Sequence, residues 1–441
     1  MIASEKPSFN EALKFWFKLG CISFGGPAGQ IAIMHDFLVD KKKWISDSKF
    51  LHALNYCMLL PGPEAQQLAT YIGWLLHGKK GGWVAGILFV LPSVFILLAL
   101  SIIYVTYGQL PWVAAIFYGL KPAVVAIVIL ALIKIVNKSL STSFSYLVAA
   151  ASFTSIYFFN ISFPIIILFA ILVGFVCKKY FPQLLSSKIG GTEKIADESA
   201  YFINSKSIIA HTIFSKNDSV KLLFLGIVFW CFPMLLFYFF SNDFTFWNTL
   251  VVFFSKAALV TFGGAYAVLP YVAQISVEKL HWLSKLQMID GLALGETTPG
   301  PLVMVLAFVG FMGSYQHFNG SIILASVGLL VTTFYTFLPS FIFIFLGAPI
   351  IEKTQNNQGL KSILTIVTSA VVGVVLNLTV YFGKAVIFPS ELTFQSMDYF
   401  SFALIIVSFI ALYKFKINMI KWIAASAAIG LIHYFIILNH V

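Results

Sequence analysis

Apolar runs of two lengths alternate along this chain, and the short ones come in broken pairs. Asn10 to Phe24 is apolar but short, and Phe-Gly-Gly-Pro stops it. Ala28 to Val39 follows and ends at Lys41–Lys43. Phe50 to Leu60 is broken by Pro61-Gly62-Pro63, and Glu64 to Leu76 then runs to His77-Gly78-Lys79-Lys80. A spanning helix needs about 20 residues, so each piece is half a span and each pair a re-entrant hairpin. Continuous spans are predicted at Trp83–Tyr107, Trp112–Val136, Phe144–Phe159 and Pro164–Cys177, the last two short. Leu222–Phe240 is a further span, and Asn248–Tyr315 repeats the broken pattern. Spans near Ser321–Leu346, Ser362–Phe382, Tyr399–Tyr413 and Asn418–Leu438 complete the chain.

The broken stretch occurs twice, without a gap, at an offset of 238 residues. Phe15, Lys18, Phe24, Gly25, Gly26, Trp44, Pro61, Gly62 and Pro63 recur as Phe253, Lys256, Phe262, Gly263, Gly264, Trp282, Pro299, Gly300 and Pro301, and Ser23 recurs as Thr261. Farther on, Leu91-Pro-Ser matches Leu338-Pro-Ser, and the stretch from Lys121 matches that from Thr368. Repeats with helix breakers in matching places point to a transport site. The division is a first repeat at 1–178, a polar cytoplasmic linker at 179–221, an inverting helix at 222–241 and a second repeat at 242–441. Lysine-rich loops of one half are lysine-poor in the other, as opposite orientations require. With hairpins at the breaks, Lys41–Lys43, Lys79–Lys80, Lys134–Lys138, the linker and Lys414–Lys421 all lie inside, and the C-terminus lies outside; the alternative, with Asn10–Val39 crossing fully, puts Lys41–Lys43 outside. The fold class is therefore an all-α polytopic membrane protein of two homologous inverted-topology repeats with broken, re-entrant helices at the Gly-Gly-Pro and Pro-Gly-Pro motifs.

Composition agrees. Of 441 residues, 59% are hydrophobic and 10% charged, against about 25% charged in a soluble domain. The net charge of +11 comes entirely from lysine, because the chain has no arginine. A side-chain cation that meets an anion here is a point-charge ammonium. Cys21, Cys57, Cys177 and Cys231 lie in apolar surroundings with no metal-ligand or disulfide spacing. The opening MIASEKPSFNEALKF has acids and no early apolar core, unlike a cleavable signal peptide. No phosphate-binding loop, zinc spacing or catalytic triad is present. An enzyme, an ATP-driven pump, a cofactor and a nucleic-acid partner are not expected.

The chemistry gathers at the breaks. Glycine permits open backbone, and proline suits a first helical turn. Helix restarts near Pro27, Pro63, Ala265 and Pro301 would converge near the midplane, where N-terminal N–H groups bind anions. The alternative is a set of packing kinks. Lys18 and Lys256 hold equivalent places before the glycines, as anion ligands or as cations snorkelling to the interface. Glu64 follows Pro63, and Glu296 precedes Thr297-Thr298-Pro299; each is a proton carrier or a helix cap. Lys121, inside a span, is expected to pair with one of them. Ser23, Thr261, Gln30, Asn55, Thr297 and Thr298 offer neutral hydrogen bonds. His35, Asp36, Asp40 and Trp44 mark the membrane interface, with Trp44 as its anchor.

Leu19-Gly20, Ser23-Phe24-Gly25-Gly26-Pro27 and Gln30, followed by the LLPGPEAQQ run at Leu59–Gln67, resemble the two signatures of the chromate ion transporter family, in its long two-domain form. The resemblance covers nearly the whole chain. It implies a carrier of the bacterial inner membrane that exports chromate, a tetrahedral dianion similar to sulfate, coupled to protons. It carries Gly25, Gly26, Pro27, Gln30, Pro61, Gly62, Pro63 and Glu64 over as motif positions, with Gly263, Gly264, Pro299, Gly300 and Pro301 in the second half. Ala265 departs from the first repeat's Pro27.

The resulting expectation is alternating access by rocking halves, with the lipid bilayer and an oxyanion as partners and a homodimer left open. The anion sits between the tips, on backbone N–H groups, Ser23, Thr261 and Thr298, with Lys18 or Lys256 adding charge. Alternatives are a sulfate or other oxyanion carrier, an anion channel, and a non-transporting scaffold or sensor that docks through the linker.

Overall fold

The computed structural model describes residues 6–24, 26–181, 198–204, 207, 215–262, 264–351, 358–389, 391 and 393–438. Among them are sixteen α-helices, and seven are long and apolar enough to cross a membrane. The first repeat comprises α1 (Phe9–Ile22), α2 (Gly26–His35), α3 (Asp47–Cys57), α4 (Glu64–Tyr107), α5 (Pro111–Ser139), α6 (Ser143–Phe159) and α7 (Phe163–Tyr180). Then come α8 (Lys216–Phe240) and the second repeat: α9 (Phe244–Leu259), α10 (Ala265–Ala273), α11 (Lys285–Thr297), α12 (Val305–His317), α13 (Ile322–Ile351), α14 (Gln358–Ile387), α15 (Tyr399–Tyr413) and α16 (Met419–Leu438).

Local sequence explains the boundaries. Ser8 caps α1, accepting from Glu11 N–H at 3.2 Å. Ala12, Phe15, Trp16 and Leu19 fall on one helical face and are buried where α1 meets α4. Ser284 and Gln287 form a capping box on α11. His77 and Gly78 leave helical geometry and kink α4; their repeat counterparts, Tyr315 and Gln316, lie in the last turn of α12. Each short second helix ends in a π turn, Asp36–Lys41 and Gln274–Lys279, at the same offset of 238 residues.

These turns correct one expectation. Trp44 is buried (3% exposed), edge-on to Phe15 and Phe37. Trp282 is likewise buried against Phe253 and Phe254. The π turn folds each indole over its own first helix, so Trp44 anchors the hairpin rather than the bilayer.

The packing of the two repeats is exchanged. α6 and α7 pack on α14 of the second repeat, while α15 and α16 pack on α5 of the first. Gly119 and Gly430 let α5 and α16 approach at backbone contact, and Gly373 does the same for α14 against α6. α8, predicted as the extra span, buries only Gly226. Most of the predicted linker lies outside the described residues. Its 198–204 stretch docks on the turn before α3: Ile203 N–H donates to the Trp44 carbonyl at 3.0 Å, and Ser46 N–H to the Ile203 carbonyl at 2.8 Å.

Asp243, in the turn before α9, ties the start of α9 to the end of α12. It accepts Phe246 N–H at 3.0 Å and faces His317 Nε2 at 2.6 Å. The Phe246 N–H first, and His317 second, hold its carboxyl below the usual range. Its contribution is present above the ordinary carboxylate pKa and is lost as pH falls through the lowered one. Asp243→Asn is expected to lower the thermal midpoint in detergent at neutral pH, with the gap closing as the pH is taken below about 4.

Candidate transport site

The four helix breaks meet at the centre of the protein through reciprocal hydrogen bonds. Gly62 N–H donates to the Thr261 carbonyl at 2.7 Å, and Gly300 N–H donates to the Ser23 carbonyl at 2.7 Å. Gly300 is the repeat counterpart of Gly62, and Thr261 that of Ser23, so the two bonds are related by a pseudo-twofold axis. The backbone also matches: φ is +72° at Gly26 and +96° at Gly264, and +129° at Gly62 and +103° at Gly300. Side chains complete the brace. Ser93 Oγ donates to the Pro299 carbonyl at 2.5 Å. Gln30 Nε2 donates to the Gly300 carbonyl at 2.6 Å, and Gln67 Nε2 to the Pro61 carbonyl at 2.8 Å. Irregular backbone inside a membrane persists only where such partners satisfy it.

Beside this brace lies a cavity of about 690 Å³. Its floor carries Gly26 and Pro27 at the start of α2, Gly264 and Ala265 at the start of α10, and Glu64, Glu296 and Tyr266. Glu64 and Glu296 are buried, at 9% and 4% exposure. Tyr266 OH donates to Glu296 Oε1. Glu64 Oε1 lies 4.0 Å from the place where a side chain on Gly264 would begin, so a first-repeat carboxylate rests against a second-repeat glycine. Lys134 and Lys138, on the last turns of α5, line the same space and are exposed. The cavity thus has an open cationic mouth and a buried floor that combines two carboxylic acids with two helix N-termini. Buried carboxyls exchange protons, while N-termini and ammonium groups attract anions.

The expected site residues divide into five groups. Gly26, Pro27, Glu64, Gly264 and Glu296 line the cavity. Ser23, Gln30, Pro61, Gly62, Thr261, Pro299 and Gly300 build the brace behind it. Pro63 and Pro301 are the N-caps of α4 and of a 3₁₀ turn, and Thr298 Oγ1 is spent on the Leu294 carbonyl at 2.7 Å. Lys18 and Lys256 stand exposed on α1 and α9 and do not line the cavity. Gly25 and Gly263 lie outside the described residues.

Lys121 does not pair with Glu64 or Glu296. Its partner is Asp290, at 3.1 Å. α11 packs on α5 with Asp290, rather than Glu296, opposite Lys121. In the sequence Lys134 and Lys138 read as charges flanking a span, and their place in the cavity is not evident there. The available signal was that α5 stays apolar on both sides of Lys134.

The repeats differ in how they use the cavity. Eight of the nine residues of α10 are buried, against two of the ten in α2. α10 and α11 pack on α14 and α5, whereas α2 and α3 make no comparable contact with those helices. The first-repeat hairpin stands away from the α5–α14 pair, and the cavity is the gap between them.

A family model described as Chromate transporter matches residues 11–175 and 248–431. The chain is 28% identical over 435 residues to the chromate transport protein of Cupriavidus metallidurans, covering 97% of this chain and 94% of that protein. It is 26% identical over 431 residues to the chromate transport protein of Pseudomonas aeruginosa, covering 96% and 92%. An uncharacterised transporter of Methanocaldococcus jannaschii is 28% identical over 427 residues, covering 96% and 94%. No solved structure matches the chain.

Proposed function

Because the chain belongs to the chromate transporter family, we propose that it is a secondary transporter exporting chromate from the cytoplasm through the cavity beside the helix breaks. One observation carries this reading: a single cavity holds two exposed lysines, two helix N-termini from different repeats and two buried carboxyls. At about 30 Å³ per water, the space admits a tetrahedral oxyanion with much of its hydration shell. Lys134 and Lys138 attract the dianion, and the N–H groups opening α2 and α10 hold it. Glu64 and Glu296 take up and release a proton within the same space, so the charge on one ligand is felt by the other.

The side on which the mouth opens supports export. Lys134, Lys138, Lys414, Lys416 and Lys421 cluster at the ends of α5, α15 and α16. Lysine-rich ends lie on the cytoplasmic face of an inner membrane, so the mouth faces the cytoplasm. The unequal burial of the two hairpins supports alternating access. If α2–α3 closes on α5 and α14 while α10–α11 opens, the same site faces the other side.

The test is uptake of labelled chromate into inside-out vesicles from cells with and without the protein. Uptake is expected to depend on the protein, to fall when the proton gradient is collapsed and to be inhibited by excess sulfate. Lys134→Met with Lys138→Met is expected to lower uptake about tenfold at low salt and less at high salt, since exposed charges are screened. Protein-dependent flux that follows voltage alone would make it an anion channel. No protein-dependent flux would remove the reading.

A further inference from the structure

On the far side of the brace from the cavity mouth, a second set of charged groups is buried and has no part in the anion site. Lys121 on α5 and Asp290 on α11 are 3.1 Å apart, at 17% and 6% side-chain exposure. Tyr104, near the end of α4, donates its hydroxyl to the other carboxylate oxygen of Asp290 at 2.9 Å. The Tyr104 ring is held edge-on by Phe117 and Phe308, from α5 and α12. Three helices are therefore tied at one carboxylate. Beyond the tie lies a pocket of about 100 Å³ lined by Tyr104, Gln109, Gln287 and Tyr315, at the end of the helices opposite Lys134 and Lys138. It is far smaller than the cavity beside the brace.

The matched positions of the first repeat carry different chemistry. The repeat counterpart of Asp290 is His52, and that of Lys121 is Thr368. Thr368 lines the open cavity. The tie is thus present where hairpin and long helix are together and replaced where they are apart. We propose that Lys121, Asp290 and Tyr104 form the latch of the outer gate: they hold α11 against α5 while the cavity is open to the cytoplasm and separate when it opens outward. The inference rests on the alternating-access reading above and names the residues that set its resting state. An ion pair suits a reversible seal. Its attraction is largely offset by desolvation, and both groups regain water when the gate opens. A purely apolar seal would expose hydrophobic surface instead.

The latch is tested by accessibility, which requires no cargo. Cys21, Cys57, Cys177 and Cys231 are first replaced by alanine. One reporter is Leu294→Cys, one turn beyond Asp290 on the same helix face and buried at 7%. The other is Leu130→Cys, which lines the cytoplasmic cavity. A membrane-impermeant maleimide is applied to intact cells and to inside-out vesicles. With the latch intact, position 294 is slow from outside and position 130 fast from inside. In Lys121→Met with Asp290→Asn, outside labelling at 294 is expected to rise about tenfold while inside labelling at 130 falls, as a population shift requires. The charge swap Lys121→Asp with Asp290→Lys should return both rates toward the original. Unchanged rates, or rates that rise together as in a loosened protein, would overturn the latch. A failure of chromate uptake with the opposed labelling intact would overturn the cargo and leave the latch standing.

Discussion

Gly300→Ala is expected to remove most folded, active transporter. The residue sits at φ +103°, where a side chain costs about 1–2 kcal/mol. A methyl group there would overlap Ser93 Oγ, which is committed to the Pro299 carbonyl. Over-packing of this kind adds about 1–3 kcal/mol. The same turn supplies the Gly300 N–H that bonds Ser23 at 2.7 Å, so any shift that relieves the overlap strains one of the two central cross-repeat bonds. Gly62→Ala should behave alike, because its methyl would meet Ser340 Oγ and Gln67 Nε2. Thermal unfolding of detergent-solubilised protein measures the loss. Ser93→Ala added to Gly300→Ala should recover the overlap part and leave the backbone part. A Gly300→Ala protein with an unchanged midpoint would show that the brace is not under the tight geometry described.

The second large effect falls on the carboxyls. Glu64→Gln and Glu296→Gln keep side-chain size and hydrogen-bonding capacity but cannot ionise. Each should lower gradient-driven chromate uptake about tenfold or more, equivalent to about 1.4 kcal/mol. Exchange of chromate for chromate across vesicles without a gradient should continue, because under the proposed mechanism it needs the anion site and the rocking motion but no proton. Glu296→Gln can still accept from Tyr266, so its fold should survive. Phe replacing Tyr266 should then produce a smaller loss than Glu296→Gln. If both Gln variants accumulate chromate against the gradient as the parent does, the coupling proton is carried elsewhere.

Much of the fold was legible because its breaks are written by local chemistry. Gly-Gly-Pro and Pro-Gly-Pro stop helices whatever surrounds them, and α1, predicted at Asn10–Phe24, runs Phe9–Ile22. α15 spans Tyr399–Tyr413 as predicted. Two repeats were visible in their identities at a fixed offset, and Glu64 and Glu296 were marked by their place beside the breaks. What was not legible is who meets whom. Periodicity assigns a helix an apolar face but not the neighbour that covers it, so the sequence does not single out Asp290 and points Lys121 to Glu64 or Glu296 instead. Lys134 and Lys138 carry both a topological and an electrostatic reading, and only the position of α5 against the cavity separates them. Lys18 and Lys256 show the converse. Their matched places follow from the repeat itself, and the shared exposed face of α1 and α9 accounts for them without an anion.

The exchanged packing of α6 and α7 on α14, and of α15 and α16 on α5, bears on how the chain is made. During synthesis the first repeat enters the bilayer long before α14 exists, so α6 and α7 must wait in lipid without the surface they will cover. Lipid tolerates that wait, because apolar helices are stable there one at a time. The final assembly is then a late docking step that draws on both ends of the chain. A ribosome that stalls after α8 leaves an inserted half without its mate, and that half is the species a membrane quality-control protease would meet.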